Sequence, residues 1–153
     1  MSPSQLANSI YNKYWDGYIP INVEKMIREM GYQIQESNEI DCALYTVSNE
    51  EIIFSIRKDF SSKRKRYVLA HLLGLVLMNI PLTHLINLNS FSPSQANSVD
   101  RKAQCFATCL LVPKEILDLM VIKKNMTNVN DLANTFDVSC NVIMKKLKLD
   151  DWL

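Results

Sequence analysis

Residues 68 to 82 read VLAHLLGLVLMNIPL, and this stretch places a single histidine, His71, inside a long apolar run. Such a histidine suits three interpretations: a residue of the core, part of a membrane segment, or the remnant of a metal site. The run is shorter than the roughly 20 apolar residues that cross a bilayer, and Pro81 interrupts it. The stretch therefore predicts a buried helix, and the role of His71 becomes the first question that the sequence raises.

The composition is that of an ordinary globular domain. The chain has 153 residues, of which 48% are hydrophobic and 22% charged, and this length suggests one domain, or one domain with a small appendage. The formal net charge of +1 provides no global field that would draw the protein onto DNA or an acidic membrane. The N-terminal residues lack the pattern of a signal peptide, so we expect a cytoplasmic protein with no membrane segment.

The first half of the chain combines two amphipathic helices with three short β-rich runs. Apolar residues recur at helical spacing over residues 3 to 16, with Ser4 as a candidate N-cap, and a second helix ends at Gly31. The β-rich runs lie at residues 32–35, 42–47 and 51–56. The tetrapeptide SNEE joins the last two runs as a plausible hairpin. These patterns predict an α+β fold with several helices packed on a small, mainly antiparallel, three-stranded sheet.

The second half of the chain is predicted to be helical around one polar loop. The basic lead-in at residues 61–66 is interpreted as a solvated helix start, since no aromatic residues are interleaved for base stacking. Residues 84–98 are rich in serine and asparagine and predict a loop. A helix should follow over residues 100–111, another should begin at Pro113, and the tail from residue 123 onward carries two short helical patterns.

The cysteines do not form a metal-binding or redox motif. Cys42, Cys105, Cys109 and Cys140 include no CxxC pair. Cys105 and Cys109 are spaced to share one helix face, and the simplest interpretation is that they are small buried apolar residues.

Three segments together resemble the ImmA/IrrE family of zinc metallopeptidases. Residues 66–74 read RYVLAHLLG, where the family has R-x-x-x-A-H-E-L-G-H. Residues 100–113 read DRKAQCFATCLLVP and resemble the family's E-x-E-A-N-x-F-A-A-x-L-L-M-P. Residues 132–139 match the ending L-A-x-x-F-x-V-S, so the resemblance covers nearly the whole chain. It implies a zincin-like fold and a protein that is usually encoded beside an XRE-type helix-turn-helix repressor.

The family's chemistry depends on the HExxH spacing. Two histidines at positions i and i+4 lie on one helix face and bind one Zn²⁺, while the glutamate between them takes a proton from the metal-bound water. An acid from the next helix is the third ligand, and the fourth position stays open for water.

This chain keeps only part of that set. The resemblance aligns His71 with the first histidine, but Leu72 replaces the glutamate base and Leu75 replaces the second histidine. Asp100 aligns with the third ligand and Lys102 with the second acid of that motif. Leucine neither coordinates zinc nor accepts a proton. We therefore expect no catalytic residue, no bound zinc and no other cofactor, with His71, Leu72, Leu75 and Asp100 as vestigial positions.

Two features leave alternatives open. His84 would replace the missing zinc ligand if its loop folded back toward His71. The general base would still be missing, because the spacing of Glu50 and Glu51 does not place either of them at the site. The more apolar former site suits either tighter core packing or a groove that binds a protein. A partner-binding cleft would consist of His71, Leu72, Leu75, His84, Asp100 and Lys102.

The resemblance leads to three hypotheses of function. The first is an inactive ImmA/IrrE-like protein that binds a cognate XRE-type repressor, in antirepressor or toxin–antitoxin regulation. The second is a metallopeptidase with an unconventional metal site that cleaves a repressor. The third is a DNA-binding regulator that uses Lys145, Lys146 and Lys148 of a helix-turn-helix-like tail at residues 123–153. That tail is otherwise expected to pack on the ImmA/IrrE-like domain at residues 1–122. Direct DNA binding is not favoured, because Asp150 and Asp151 oppose those lysines.

Overall fold

The computed structural model describes residues 1–40, 43–80 and 98–153, with the backbone alone described at residues 98 and 99. These ranges contain seven α-helices, three β-strands and one π-helical turn. The helices and strands, in chain order, are α1 (Pro3–Tyr14), α2 (Val23–Glu29), β1 (Gln33–Ser37), β2 (Leu44–Ser48), β3 (Glu51–Arg57), α3 (Ser62–Leu77), α4 (Ser98–Leu111), α5 (Lys114–Asp118), the π-helical turn (Leu119–Lys123), α6 (Val129–Phe136) and α7 (Cys140–Leu149). Cys42, His84 and most of the predicted polar loop lie outside the described residues.

The first helix begins two residues earlier than Ser4 suggests. Ser2 is the N-cap: its hydroxyl accepts a hydrogen bond from the Gln5 backbone N–H, and the Gln5 side chain accepts one from the Ser2 N–H. Pro3 then occupies the first turn, where its missing N–H removes no hydrogen bond. The prediction of Ser4 as the N-cap is wrong, because the reciprocal pair of hydrogen bonds at Ser2 satisfies two N–H groups and Ser4 offers no such box.

The three strands form a mixed sheet in the order β1-β3-β2. β2 and β3 are antiparallel and joined by a tight hairpin, in which Asn49 and Glu50 both have positive φ, of 52° and 66°. β1 instead pairs with the free edge of β3 and runs parallel to it. The predicted α+β class, three strands and hairpin are confirmed. The expectation of a mainly antiparallel sheet is wrong, because one of the two strand pairs is parallel.

Helix α3 is the buried centre of the molecule. It begins after the N-cap Ser61, and its residues from Tyr67 to Leu75 are all buried, as the apolar run predicted. The helix packs against α4 and β3, and α4 also packs against α1. None of the helices in the described ranges combines the length and the apolarity that a bilayer crossing requires.

Gly74 allows α3 and α4 to approach each other closely. A Cβ atom built at this position would lie 2.8 Å from Cδ1 of Phe106, and Phe106 is fully buried on α4. The glycine of the A-H-x-L-G stretch therefore has a packing role in this chain, because even the smallest side chain would have to displace an aromatic ring.

We predict that Gly74→Ala destabilises the protein by about 1–3 kcal/mol, although alanine is the better helix former by roughly 1 kcal/mol. The free energy of unfolding from urea titration checks this, with Phe106→Leu and the double variant completing a cycle. Leucine in place of Phe106 should relieve the clash with the new Cβ atom at position 74. The double variant should therefore be more stable than the sum of the two single effects by about 1 kcal/mol or more. A stabilised single variant would show instead that the ring shifts without cost.

The C-terminal segment from α6 onward packs on the rest of the chain. The Arg66 guanidinium on α3 donates hydrogen bonds to the Phe136 and Asp137 carbonyls, each at 3.2 Å, and Ser62 bonds the Asp137 carboxylate. On α7, Lys145 donates to the Gln104 side chain at 2.7 Å. These contacts join the tail to both α3 and α4, while a domain boundary at residue 122 stays a prediction.

Candidate functional site

His71 lies in the interface of α3 and α4 with only 3% of its surface exposed. Neither ring nitrogen has a hydrogen-bond partner among the described residues. Its ring centroid is 6.3 Å from that of Tyr67, one helical turn earlier. Burial lowers the pKa of the imidazole to about 4, so the ring is uncharged near neutral pH.

Two oppositely charged side chains act on this imidazole. The Asp100 carboxylate at the start of α4 raises the pKa of His71, while the Lys145 amine lowers it, and both effects are smaller than that of burial. Asp100 is half-buried. The structure thus brings together the two vestigial ligand positions, His71 and Asp100, as the alignment implied. It also adds a cation from α7 that the local sequence did not associate with this site.

Leu72 and Leu75 are part of the core. Leu72 is fully buried and Leu75 is 4% exposed, and both belong to the main apolar cluster around α3. These leucines occupy the positions of the family's base and second histidine. Burying each side chain stabilises the folded protein by roughly 1.5–3 kcal/mol. The packing favours the core interpretation for these two leucines over an open groove.

The described residues do not fit a zinc site. They contain no cluster of three or more histidine, cysteine, aspartate or glutamate side chains that could hold a metal ion. His71 and Asp100 supply two donors, whereas a catalytic zinc needs three protein ligands and an open position. His84 lies outside the described residues, so a third donor from that position stays a prediction.

The remaining positions of the predicted cleft differ in accessibility. Lys102 is exposed on the first turns of α4, close in sequence to the half-buried Asp100. The two glutamates considered as a replacement base do not belong to this predicted cleft: Glu50 is exposed in the hairpin turn, and Glu51 accepts a hydrogen bond from Gln33 on β1 at 3.0 Å. Among the described residues of the predicted cleft, only Lys102 and Asp100 present surface to a partner, because His71, Leu72 and Leu75 are buried.

Arg66, the arginine of the RYVLAH stretch, has a structural role that spacing alone did not suggest. Its guanidinium donates to the carbonyls of Ile21, Phe136 and Asp137, and its Nε lies 3.5 Å from the Asp137 carboxylate. One side chain thereby joins the segment before α2, helix α3 and the end of α6. Burial lowers the pKa of the guanidinium, with partial opposition from Asp137.

The lysines of α7 are engaged within the fold. Lys146 is 5% exposed and its amine lies 3.1 Å from the Asp150 carboxylate, while Lys145 bonds Gln104. Lys148 is exposed. Of the three lysines that the DNA-binding hypothesis needs, only Lys148 is free of these internal contacts.

Comparison with known families identifies the class of protein. The family model Peptidase_M78, described as the IrrE N-terminal-like domain, matches residues 31–148. The chain belongs to this family, as the three motif segments implied, and the match extends from β1 through most of α7.

A solved structure shares the fold. It is a Mycobacterium tuberculosis transcriptional regulator, similar to this chain with a TM-score of 0.67 and 14% sequence identity. The match covers 95% of this chain and 46% of the regulator, so the chain spans less than half of that protein's length. No curated protein matches the sequence.

Proposed function

We propose that this chain is a catalytically inactive member of the IrrE N-terminal-like family that acts by binding a protein partner, an XRE-type helix-turn-helix repressor. The observation that carries the proposal is the burial of Leu72 and Leu75, at 0% and 4% exposure, where the family has its base and second zinc-binding histidine. The scaffold is kept, while these two positions now serve its core. Binding without cleavage is the activity that such a scaffold can still supply.

The regulatory part of the proposal draws support from the shared fold. The similar solved chain is called a transcriptional regulator, and we extend a regulatory role to this chain as part of the proposal. Prophage regulation and a toxin–antitoxin module both suit an inactive repressor-binding protein.

The rim of the former site is the expected contact surface. Because His71, Leu72 and Leu75 are buried, they shape the fold beneath the surface instead of touching a partner. On α4, Lys102 is exposed and Asp100 is half-buried. A charged rim residue contributes mainly to the association rate and to specificity.

We expect the chain to lower the operator affinity of the repressor encoded beside its gene by about tenfold or more, while the repressor stays intact. Fluorescence anisotropy of labelled operator DNA measures the affinity, and gel electrophoresis with and without added zinc detects cleavage. Lys102→Glu should weaken the effect several-fold. Lys123→Glu, an equal charge change on the exposed π-helical turn, should leave it unchanged.

Other results of the same assay would overturn the proposal. Zinc-dependent cleavage of the repressor would favour the metallopeptidase with an unconventional metal site. The observation behind that alternative is His71, whose two ring nitrogens lack a partner among the described residues and whose pKa, lowered by burial, is partly raised again by the nearby Asp100 carboxylate. Binding of the chain alone to operator DNA would favour the tail as a DNA-binding element. An unchanged operator affinity with an intact repressor would remove the antirepressor role.

A further inference from the structure

A cavity of about 350 Å³ lies between α4 and α7, and its wall combines apolar surface with three basic side chains. Arg101, Lys145 and Lys148 contribute positive charge to the wall, and no carboxylate of the described residues lines it. Thr108 also lines the cavity; it is fully buried, and its hydroxyl has no hydrogen-bond partner within the described ranges. Three cations and one unused hydroxyl suit a small anionic ligand.

Cys105 is the nucleophile in this wall. It is half-buried and lines both this cavity and a second hollow of about 370 Å³ between α1, α4 and α7. Cys109 lies one helical turn later on the same helix. The Lys146 amine lies 3.8 Å from the Cys109 sulfur and 3.1 Å from the Asp150 carboxylate, so the cations that face Cys105 without a paired carboxylate among the described residues are those of the first cavity.

These neighbours favour the thiolate. The neighbouring Cys109 thiol, followed by the charges of Lys146 and Lys145, lowers the pKa of Cys105 to about 7 although burial opposes the shift. The Cys105 side chain and burial raise the pKa of Cys109. Cys105 is therefore the more acidic of the two thiols, and a thiolate is the form that attacks disulfides.

We propose that Cys105 is a covalent modification site that reacts with the disulfide of an anionic low-molecular-weight thiol held in the cationic cavity. The Cys105 sulfur forms a bond to one sulfur of that disulfide, whose own S–S bond breaks. The departing half leaves as a thiolate and takes a proton from water. Cys105 is thereby oxidised to a mixed disulfide and the departing half is reduced to a thiol. This inference is independent of the proposed repressor binding.

The mixed disulfide should be the end product. Cβ atoms four residues apart on a helix are about 5–6 Å apart, whereas a disulfide needs about 3.8 Å. Closing a Cys105–Cys109 disulfide would distort α4. The cavity, not a second cysteine, therefore determines which disulfide reacts.

The test compares three disulfides of different charge on the native full chain. Oxidised glutathione is anionic, hydroxyethyl disulfide is neutral and cystamine is cationic; mass spectrometry of peptides gives the rate at each cysteine. Cys140, which is exposed at the start of α7, serves as the internal control. The glutathione-to-cystamine rate ratio should be about tenfold or more higher at Cys105 than at Cys140 at low salt, and should fall in high salt.

A matched pair of variants separates cavity charge from general charge. Arg101→Gln with Lys148→Gln removes two exposed cations of the cavity wall and should reduce the ratio several-fold at Cys105. Lys123→Gln with Lys124→Gln removes two exposed cations outside that wall and should not. The proposal is overturned if Cys105 reacts with none of the disulfides, if its ratio equals that of Cys140, or if both pairs of variants behave alike.

Discussion

The variant Leu72→Glu plus Leu75→His should be strongly destabilised without zinc and should regain stability when zinc is added. Both leucines are buried in the core, so the change removes two apolar side chains and inserts a carboxyl group and an imidazole there. We expect a loss of about 4 kcal/mol or more, a large part of the roughly 5–15 kcal/mol that stabilises a domain. Thermal unfolding in chelator and in excess zinc measures both effects.

Zinc should rescue this variant because the substitution restores the ligand geometry. A histidine at position 75 would lie one helical turn from His71, with Asp100 near the same imidazole. Zinc at one hundred times its dissociation constant would stabilise the folded state by about 2.7 kcal/mol. The control, Leu72→Glu plus Leu73→His, inserts the same two side chains at buried positions, but its histidine is two residues from His71. If zinc stabilised both variants equally, the former site would not be the place where it binds.

Arg66→Met should cost about 3–4 kcal/mol of unfolding free energy. The methionine keeps much of the apolar stem but leaves the carbonyls of Ile21, Phe136 and Asp137 without their donor, along with the Asp137 carboxylate. The loss should appear as a lower urea midpoint with an unchanged slope, since the whole domain still unfolds together.

Arg28→Met is the matched control for this prediction. Arg28 is exposed on α2 and pairs with Glu24 four residues earlier at 3.7 Å, so the same substitution there should cost about 0.5 kcal/mol or less. Equal losses in the two variants would mean that the arginine on α3 contributes only a surface ion pair. The role assigned to the motif's arginine, as the link between three segments, would then be wrong.

Local patterns predicted much of the fold, because they act over short stretches of chain. The apolar run around His71 indicated the buried helix α3, and Gly31 ends α2 with a φ of 88°, as expected of a C-cap glycine. The hairpin between β2 and β3 also follows from its sequence. The parallel pairing of β1 does not, since it depends on which edge of β3 is free after the hairpin has formed.

The candidate site could be predicted only in part, because sequence motifs also act over short stretches of chain. The family motifs identified four positions of the site: the first motif gave His71, Leu72 and Leu75, and the second gave Asp100. Lys145 was missed because it reaches the site from α7, through packing that no local pattern encodes. The resemblance did place the tail within the family's fold, but only the three-dimensional arrangement shows that its lysines face α4.

The zinc content of the protein, purified without chelator, tests the central claim most directly. Elemental analysis should find well below one zinc per folded chain, and His71→Ala should leave that value unchanged. The reason is that the described residues offer two donors, His71 and Asp100, where three are needed. One zinc per chain that is lost on His71→Ala would contradict the account, because His71 would then be a working ligand and the search would turn to its partners and a substrate.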